Sequence, residues 1–380
     1  MFNFFRSVQQ MQSSSAARFK GYCRGMGIGG WLTNYKRFNV LPQEWRMPIT
    51  IGDMEHFETY ISRDDVQRIA SFGMDHIRLA FDQIVLEEAE NPGVFRENIL
   101  ELIDRFIFWC EEAGINVVLN LHKAIGNYCD INEDKTLLES PELCQRFIHF
   151  WMTLEKRWNH KPNLVFELLN ELHNVPADGW NKLAGETIDA IRQLNPNRKI
   201  IIGGPCWNHP AHLHELKDFA DSNVIYTFHC YAPMEFTHQR GVLMPAQLYY
   251  NRAMAYPGDI QPYREFHQLV YQNPNAYSDL KEMNKDYLRI CLQPAFDFVE
   301  KNPDKILWCG EFGTIRHCKI QYRENWMRDV ISLLKAHGIP YCVWNYLSTP
   351  NDGNRFSLVD DDHRNILSPE LLKIIQGNVD

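Results

Sequence analysis

The sequence predicts an α/β protein built as a closed (β/α)8 TIM barrel, and three observations predict it. Eight short apolar runs rich in β-branched or aromatic residues alternate with longer segments whose apolar positions recur three or four apart. Several of the longer segments stop on Gly or Asn just before the next run, as in "FGMDHIRL", "AGINVVL" and "HGIPYCVW". The first run, "GMGIGGW", lacks the G-x-G-x-x-G turn of an open dinucleotide-binding sheet, and no helical segment follows it directly. Strict alternation gives a parallel sheet, and eight units close it. A doubly wound open sheet is the alternative, which the third observation counts against.

In chain order the expected strands are "GMGIGG", "DHIRLAFD", "INVVLNLH", "LVFELLNE", "KIIIGGP", "VIYTFHCY", "ILWCGEFG" and "YCVWNYL". The helices expected between them are "RDDVQRIASFG", "FRENILELIDRFIFWCEEAG", "PELCQRFIHFWMTLEKRW", "GWNKLAGETIDAIRQLN", "AHLHELKDFA", "LQPAFDFVEKN" and "NWMRDVISLLKAHG", each with a helical apolar period. Two connections exceed the few residues typical of such links: residues 32–63 after the first strand and residues 232–282 after the sixth. The second mixes aromatics with helical spacing, as in "PAQLYYNRAMAYPG", and is expected to fold as a helical subdomain inserted in a single catalytic domain spanning residues 1–380. Both leave from C-terminal strand ends, the face on which barrels build active sites.

Composition narrows the function. A length of 380 residues with 45% hydrophobic and 13% aromatic content suits one large globular enzyme. Net charge is −9 and basic residues are interspersed with acidic ones, so neither nucleic acid nor an anionic membrane is an expected partner; a monomer is expected. The ten cysteines include no C-x-x-C pair and read as reduced core thiols. The start, "MFNFFRSVQQMQSSSAARFKG", has no signal-peptide pattern, and no stretch of about eighteen apolar residues occurs, so cytoplasmic residence is the default expectation.

Polar residues punctuate the strand ends. Arg78 lies on the second strand and His122 ends the third; Asn170 and Glu171 end the fourth, where the apolar run "LVFELL" stops on an amide beside a carboxylate. His229 and Tyr231 end the sixth, Glu311 the seventh, and Trp344 lies on the eighth. An ionised carboxylate buried without partners costs several kcal/mol, so these positions ask for a chemical reason. Barrel strand ends converge on one well, which would let Glu171 and Glu311 face each other. Two carboxylates across a cleft are what retaining glycoside cleavage needs, one as general acid/base and one as nucleophile.

The pattern resembles glycoside hydrolase family 5, from about residue 21 to residue 376. In that family the Asn-Glu of the fourth strand corresponds to Asn170-Glu171 in "LLNEL" and the Glu of the seventh to Glu311 in "CGEFG"; Arg78, His122, His229, Tyr231 and Trp344 fall on the supporting positions in the family's order. At finer grain the chain is similar to the endoglucanase C subgroup, through Gly27 to Trp31, "FTHQ" at Phe236 to Gln239 and "AYPG" at Ala255 to Gly258. It departs at Lys123, where many relatives carry a second His, and at "GGPCWNHP", residues 203–210, where the subgroup is more polar. The resemblance implies a retaining endo-β-1,4-glucanase acting on cellulose-type or mixed-linkage β-glucan, with no metal or cofactor. Glu311 would be the nucleophile, ionised beside Arg78 and Tyr231, and Glu171 the acid/base, holding its proton against the like charge opposite. Asn170 would bind the 2-hydroxyl of the sugar and Trp344 would offer a face to a pyranose ring. Trp31, Tyr35, Trp207 and Asn208 are further candidates for binding sugar, whereas Glu167 reads as a structural carboxylate and Glu235 as a solvated one.

Within the family, a β-mannanase or an exo-acting β-glucosidase is the alternative, because loops set specificity. A metal-dependent barrel hydrolase, which fifteen histidines bring to mind, would need an H-x-H pair on the first strand, and "GMGIGG" has none. A carbohydrate-binding barrel without activity would tolerate loss of a glutamate, yet both are present.

Overall fold

The computed structural model describes residues 14–33, 51–127, 136–173, 175–349 and 352–379; Tyr35 and much of the 32–63 connection lie outside them. Eight parallel strands close into a barrel in sequence order: β1 Arg24–Leu32, β2 His76–Asp82, β3 Asn116–Lys123, β4 Leu164–Glu167, β5 Lys199–Gly203, β6 Val224–Cys230, β7 Ile306–Phe312 and β8 Tyr341–Val343. Closure is made by β1 against β8, with Arg24 beside Tyr341 and Met26 beside Val343.

Two cores result from the alternation of side chains along each strand. Inward residues Val118, Val165, Ile201, Ile225, Ile306, Trp308 and Cys342 fill the lower barrel, while the outward ones join a much larger apolar layer under the helices. The N-terminal mouth is stoppered by Phe19 and Tyr22, stacked at 4.5 Å, with Phe19 edge-on to Trp308 at 6.4 Å. Tyr22 satisfies its hydroxyl on the carbonyl of Asn163 at 2.8 Å.

Ascending two residues at a time, the inward positions turn from apolar to polar. β3 runs Val118, Asn120, His122, and β6 runs Ile225, Thr227, His229, Tyr231. The glycines of β1 belong to the same logic. A Cβ on Gly27 or Gly29 would lie 2.7 or 2.5 Å from the Trp344 ring, so a side chain at either would evict the indole.

The helices form where their sequences begin and stop them. Helix Arg63–Ser71 starts on a capping box between Ser62 and Asp65, helix Pro141–Trp158 on Ser140 with Pro141 in its first turn, and helix Glu97–Ala113 ends on Gly114 in the left-handed region. Where a helix over "AHLHELKDFA" is expected, a 3-10 helix, Pro210–Glu215, forms instead. Tyr226 accepts from the Phe219 amide at 3.0 Å and donates to the Lys217 carbonyl at 2.9 Å, which holds the rest of that segment off the helical path. A further helix, Pro369–Ile375, capped by Ser368, completes the eighth unit.

The long excursion contains helices Met234–Thr237, Pro245–Tyr250 and Gln261–Tyr271, and a two-stranded ribbon pairs Gly258–Asp259 with Glu282–Met283. Glu235 is not solvated as the sequence suggests. It is buried and accepts hydrogen bonds from Tyr277 Oη at 2.7 Å and from His267 Nε2, so it ties the start of the excursion to its later segments. Among the described residues no helix is long and apolar enough to cross a membrane.

The aromatic stopper makes one expectation for stability. Phe19→Ala should cost about 3–5 kcal/mol, as for other buried phenylalanines, read from denaturant unfolding. The folded fraction should keep its active-site geometry, because Phe19 lies at the opposite mouth.

Candidate active site

The C-terminal mouth is organised around one buried cation. Arg78 on β2 is fully buried and directs its fork at three partners. Nε and Nη2 donate to the two oxygens of Glu167 at 2.6 and 2.8 Å, Nη2 also donates to Asn170 Oδ1 at 2.7 Å, and Nη1 donates to Glu311 Oε1. Burial opposes the guanidinium charge, but Glu167 and Glu311 outweigh it and hold Arg78 protonated. Glu167 therefore has the structural role its sequence position suggests. It lies at the end of β4 and anchors the cation that the site needs.

Glu311 at the end of β7 receives a second donor, Tyr231 Oη, at 2.8 Å on Oε2. Burial alone would favour its neutral form. The His229 ring, which turns its Nδ1 toward Oε2 at 3.7 Å, the Arg78 guanidinium and the hydrogen bonds from Tyr231 and Arg78 together hold it below the ordinary carboxylate value. Burial and the nearby charges of Glu311 and Glu171 push the Tyr231 phenol well up, so it remains a donor. Its ring packs edge-on against His238 at 5.1 Å and Phe356 at 5.7 Å. Burial in turn lowers His238 to about 4 and keeps it neutral. Sequence reasoning missed both supports, although His238 lies within the "FTHQ" text that marks the subgroup.

Glu171 sits differently. Its backbone is in the left-handed region at φ 38°, uncommon for a side chain of this kind, and its side chain is 23% exposed. Oε1 accepts from His229 Nδ1 at 2.6 Å. One oxygen of Glu171, one of Glu311 and a nitrogen of His229 lie within 4.8 Å of one another. Three such ligands could in principle hold a cation, but both oxygens of Glu311 already face strong donors, one of them a guanidinium. The set suits an ionised carboxylate better than a divalent metal.

The remaining candidates divide. Asn170 is buried beside Glu171, its Nδ2 without a hydrogen-bond partner. His122 and Trp344 have parallel rings 5.5 Å apart, and the Trp344 amide donates to Phe312 O at 2.8 Å, next to Glu311. Trp207 is 40% exposed on the loop after β5, and its amide donates to Leu172 O at 2.8 Å, next to Glu171.

Two expectations need correction. Trp31 is not available to a ligand: it is 1% exposed, its Nε1 donates to Phe57 O at 2.6 Å and its ring packs on Phe106. The register between β1 and β2 shifts by two residues between Ile28, opposite Leu79, and Leu32, opposite Phe81; inside that bulge, with Gly30 in the left-handed region, the alternation set by Gly27 and Gly29 breaks and Trp31 joins Leu32 in the outer apolar layer. Asn208 is fully buried and so offers no surface to a sugar; its amide contacts His229.

Removing Glu167 tests the anchor. Glu167→Ala leaves Arg78 buried with one bidentate partner gone and should destabilise the protein by about 3–5 kcal/mol in denaturant titrations. Turnover by the folded fraction should fall as well, because Arg78 also orients Asn170 and Glu311.

Comparison with known proteins gives the family. Residues 43–349 match the model of the cellulase family, glycosyl hydrolase family 5. Endoglucanase C of Acetivibrio thermocellus is 36% identical over 357 residues, covering 92% of this chain and 97% of that protein. Cellodextrinase A of Ruminococcus flavefaciens is 26% identical over 84% of each chain. The solved structure of a hyperthermophilic endo-β-1,4-glucanase in complex with substrate shares the fold, with a TM-score of 0.71 at 20% identity over 96% of this chain and 99% of that one. By sequence, fold and the arrangement of its strand ends, this chain belongs to the cellulase family of glycoside hydrolases, glycosyl hydrolase family 5.

Proposed function

We propose that the chain is a retaining endo-β-1,4-glucanase that cleaves cellulose-type or mixed-linkage β-glucan by double displacement. The observation that carries the reading is the unequal carboxylate pair. Oxygens of Glu171 and Glu311 lie within 4.8 Å, the close spacing of retaining rather than inverting enzymes. One is locked between Arg78 and Tyr231, and the other is partly exposed against His229. The relatives named endoglucanase and cellodextrinase support a β-glucan over a mannan.

In the first step Glu311 attacks the anomeric carbon while the bond to the leaving oxygen breaks and Glu171 gives that oxygen its proton. A covalent glycosyl ester forms. In the second step Glu171 takes a proton from water, the water oxygen bonds to the anomeric carbon, and Glu311 leaves as carboxylate. Asn170 Nδ2, buried without a partner, is placed to donate to the 2-hydroxyl of the sugar at the cleavage point. Trp344 supplies a ring face for that sugar, and Trp207 one for a neighbouring unit. The excursion that begins one residue after Tyr231 forms a wall of the cleft, selecting for long chains.

Leaving-group dependence tests the assignment. Glu171→Ala should retain glycosylation of an activated aryl cellobioside and, with added azide, release β-glycosyl azide; Glu311→Gln should lose turnover altogether. NMR of the first product should show retained configuration, and inversion would sink the mechanism.

The pH profile carries a second expectation. A nucleophile held below its ordinary value of 4.5 stays ionised into acid, so the acid limb of kcat/KM should lie below that pH. Tyr231→Phe removes one of the donors that lower it, so the limb should move to higher pH. An unmoved limb would mean that Glu311 is not the group titrating there.

A further inference from the structure

Asn208 contacts no solvent, yet it makes two bonds to one catalytic neighbour. Its side-chain Nδ2 lies 3.2 Å from His229 Nε2, and its carbonyl accepts the His229 amide at 2.8 Å. The preceding residue, Trp207, donates its amide to Leu172 O, beside Glu171. One dipeptide, with both residues in the left-handed region at φ 48° and 52°, thus holds the chain on either side of the Glu171–His229 pair. Space for the amide is made by Gly203 at the end of β5, where a Cβ would lie 2.2 Å from Asn208 Oδ1. Both residues lie in "GGPCWNHP", the loop that follows β5.

We propose that Asn208 is a positioning residue that sets the tautomer of His229 and, through that ring, aims the carboxylate of Glu171. A neutral imidazole has one donor and one acceptor nitrogen, and the partner of one nitrogen decides the state of the other. With Nδ2 turned to the ring and Oδ1 left without a partner, Asn208 donates to Nε2, and on that orientation we place the ring proton on Nδ1. Nδ1–H then donates to Glu171 Oε1 at 2.6 Å, with Glu311 Oε2 the next acceptor at 3.7 Å. Glu171 needs the guide because its side chain is partly exposed, whereas Glu311 is clamped by two donors. The inference rests on the reading of Glu171 as acid/base.

Two measurements test it on the intact enzyme. Long-range nitrogen–proton NMR of wild type at neutral pH, with the ring assigned by its loss in His229→Gln, should show Nδ1 protonated and Nε2 bare. A proton on Nε2 would overturn the proposal, and this arm stands even where variants fold poorly. In Asn208→Ala the Nδ1–H preference should be lost. That variant should lose about 10- to 100-fold in kcat/KM on unactivated cello-oligosaccharides, the range by which second-layer supports act, and less than about 3-fold on a dinitrophenyl cellobioside, which needs no acid. Equal losses on both substrates would reduce Asn208 to a structural residue. Glu171→Ala run in parallel separates the two readings: if it shows no leaving-group selectivity, the acid/base assignment fails, while the ring tautomer still decides whether Asn208 controls His229.

Discussion

The site hangs on the burial of one guanidinium. Arg78 sits in the barrel interior, where leaving a charge unpaired would cost several kcal/mol. Its fork is met by Glu167, Asn170 and Glu311, from β4, the loop after β4, and β7. One cation against two carboxylates leaves the cluster one negative charge in excess. That charge cannot be spread into water, so the donors around Glu311 are required by electrostatics as well as by chemistry. Tyr231 supplies a neutral hydrogen bond that steadies the second oxygen without adding a second full positive charge, which would quench its reactivity.

Why the cluster forms at this end follows from the strands. On β3 and β6 the inward row begins apolar near the stoppered mouth, passes Asn120 or Thr227, and ends in His122 or in His229 and Tyr231; β2 differs, because His76 packs there against Tyr22 and Trp308. The hydrophobic lower barrel, sealed by Phe19 and Tyr22, is the rigid part; the upper layer borrows its precision. The glycines of β1 fit the same division. They give up packing on their own strand so that Trp344 can lie across the mouth.

Much of this was legible in the sequence because strands and helices write themselves in periods, and because polar residues at the ends of apolar runs are costly anywhere but in a site. Arg78, Asn170, Glu171, His229, Tyr231 and Glu311 were found that way, and they converge. What escaped were features set by tertiary contacts. The bulge near Gly30 turned Trp31 away from the cleft, and no period shows such a break. The helix expected over 211–220 gives way to a 3-10 turn because Tyr226 on the next strand accepts from the Phe219 amide and donates to the Lys217 carbonyl. Glu235 looks like any surface carboxylate until His267 and Tyr277, more than thirty residues on, close over it. The helix at 369–375 is only seven residues long, too short for its period to stand out. Asn208 read as a sugar ligand because its loop leaves a strand end on the side of the cleft; only its burial shows that it faces inward.

Under the double-displacement mechanism we propose, the two glutamates are given two tasks by placement alone. Glu311 lies within a strand, where the backbone is fixed by its neighbours and both oxygens are held. A nucleophile gains from this, since its attack demands one geometry and one charge state throughout. Glu171 lies just past a strand, in a left-handed conformation that costs about 1–3 kcal/mol and turns its side chain toward the opening. An acid that must later serve as a base has to give up a proton to one oxygen and accept it from another, so a rigid cage would hinder it. A single hydrogen bond from His229 is a compromise between aim and freedom. The strain at Glu171 and the double anchoring of the following loop are then parts of one arrangement: the backbone is forced so that the carboxylate can be guided by a ring instead of being locked by a cation.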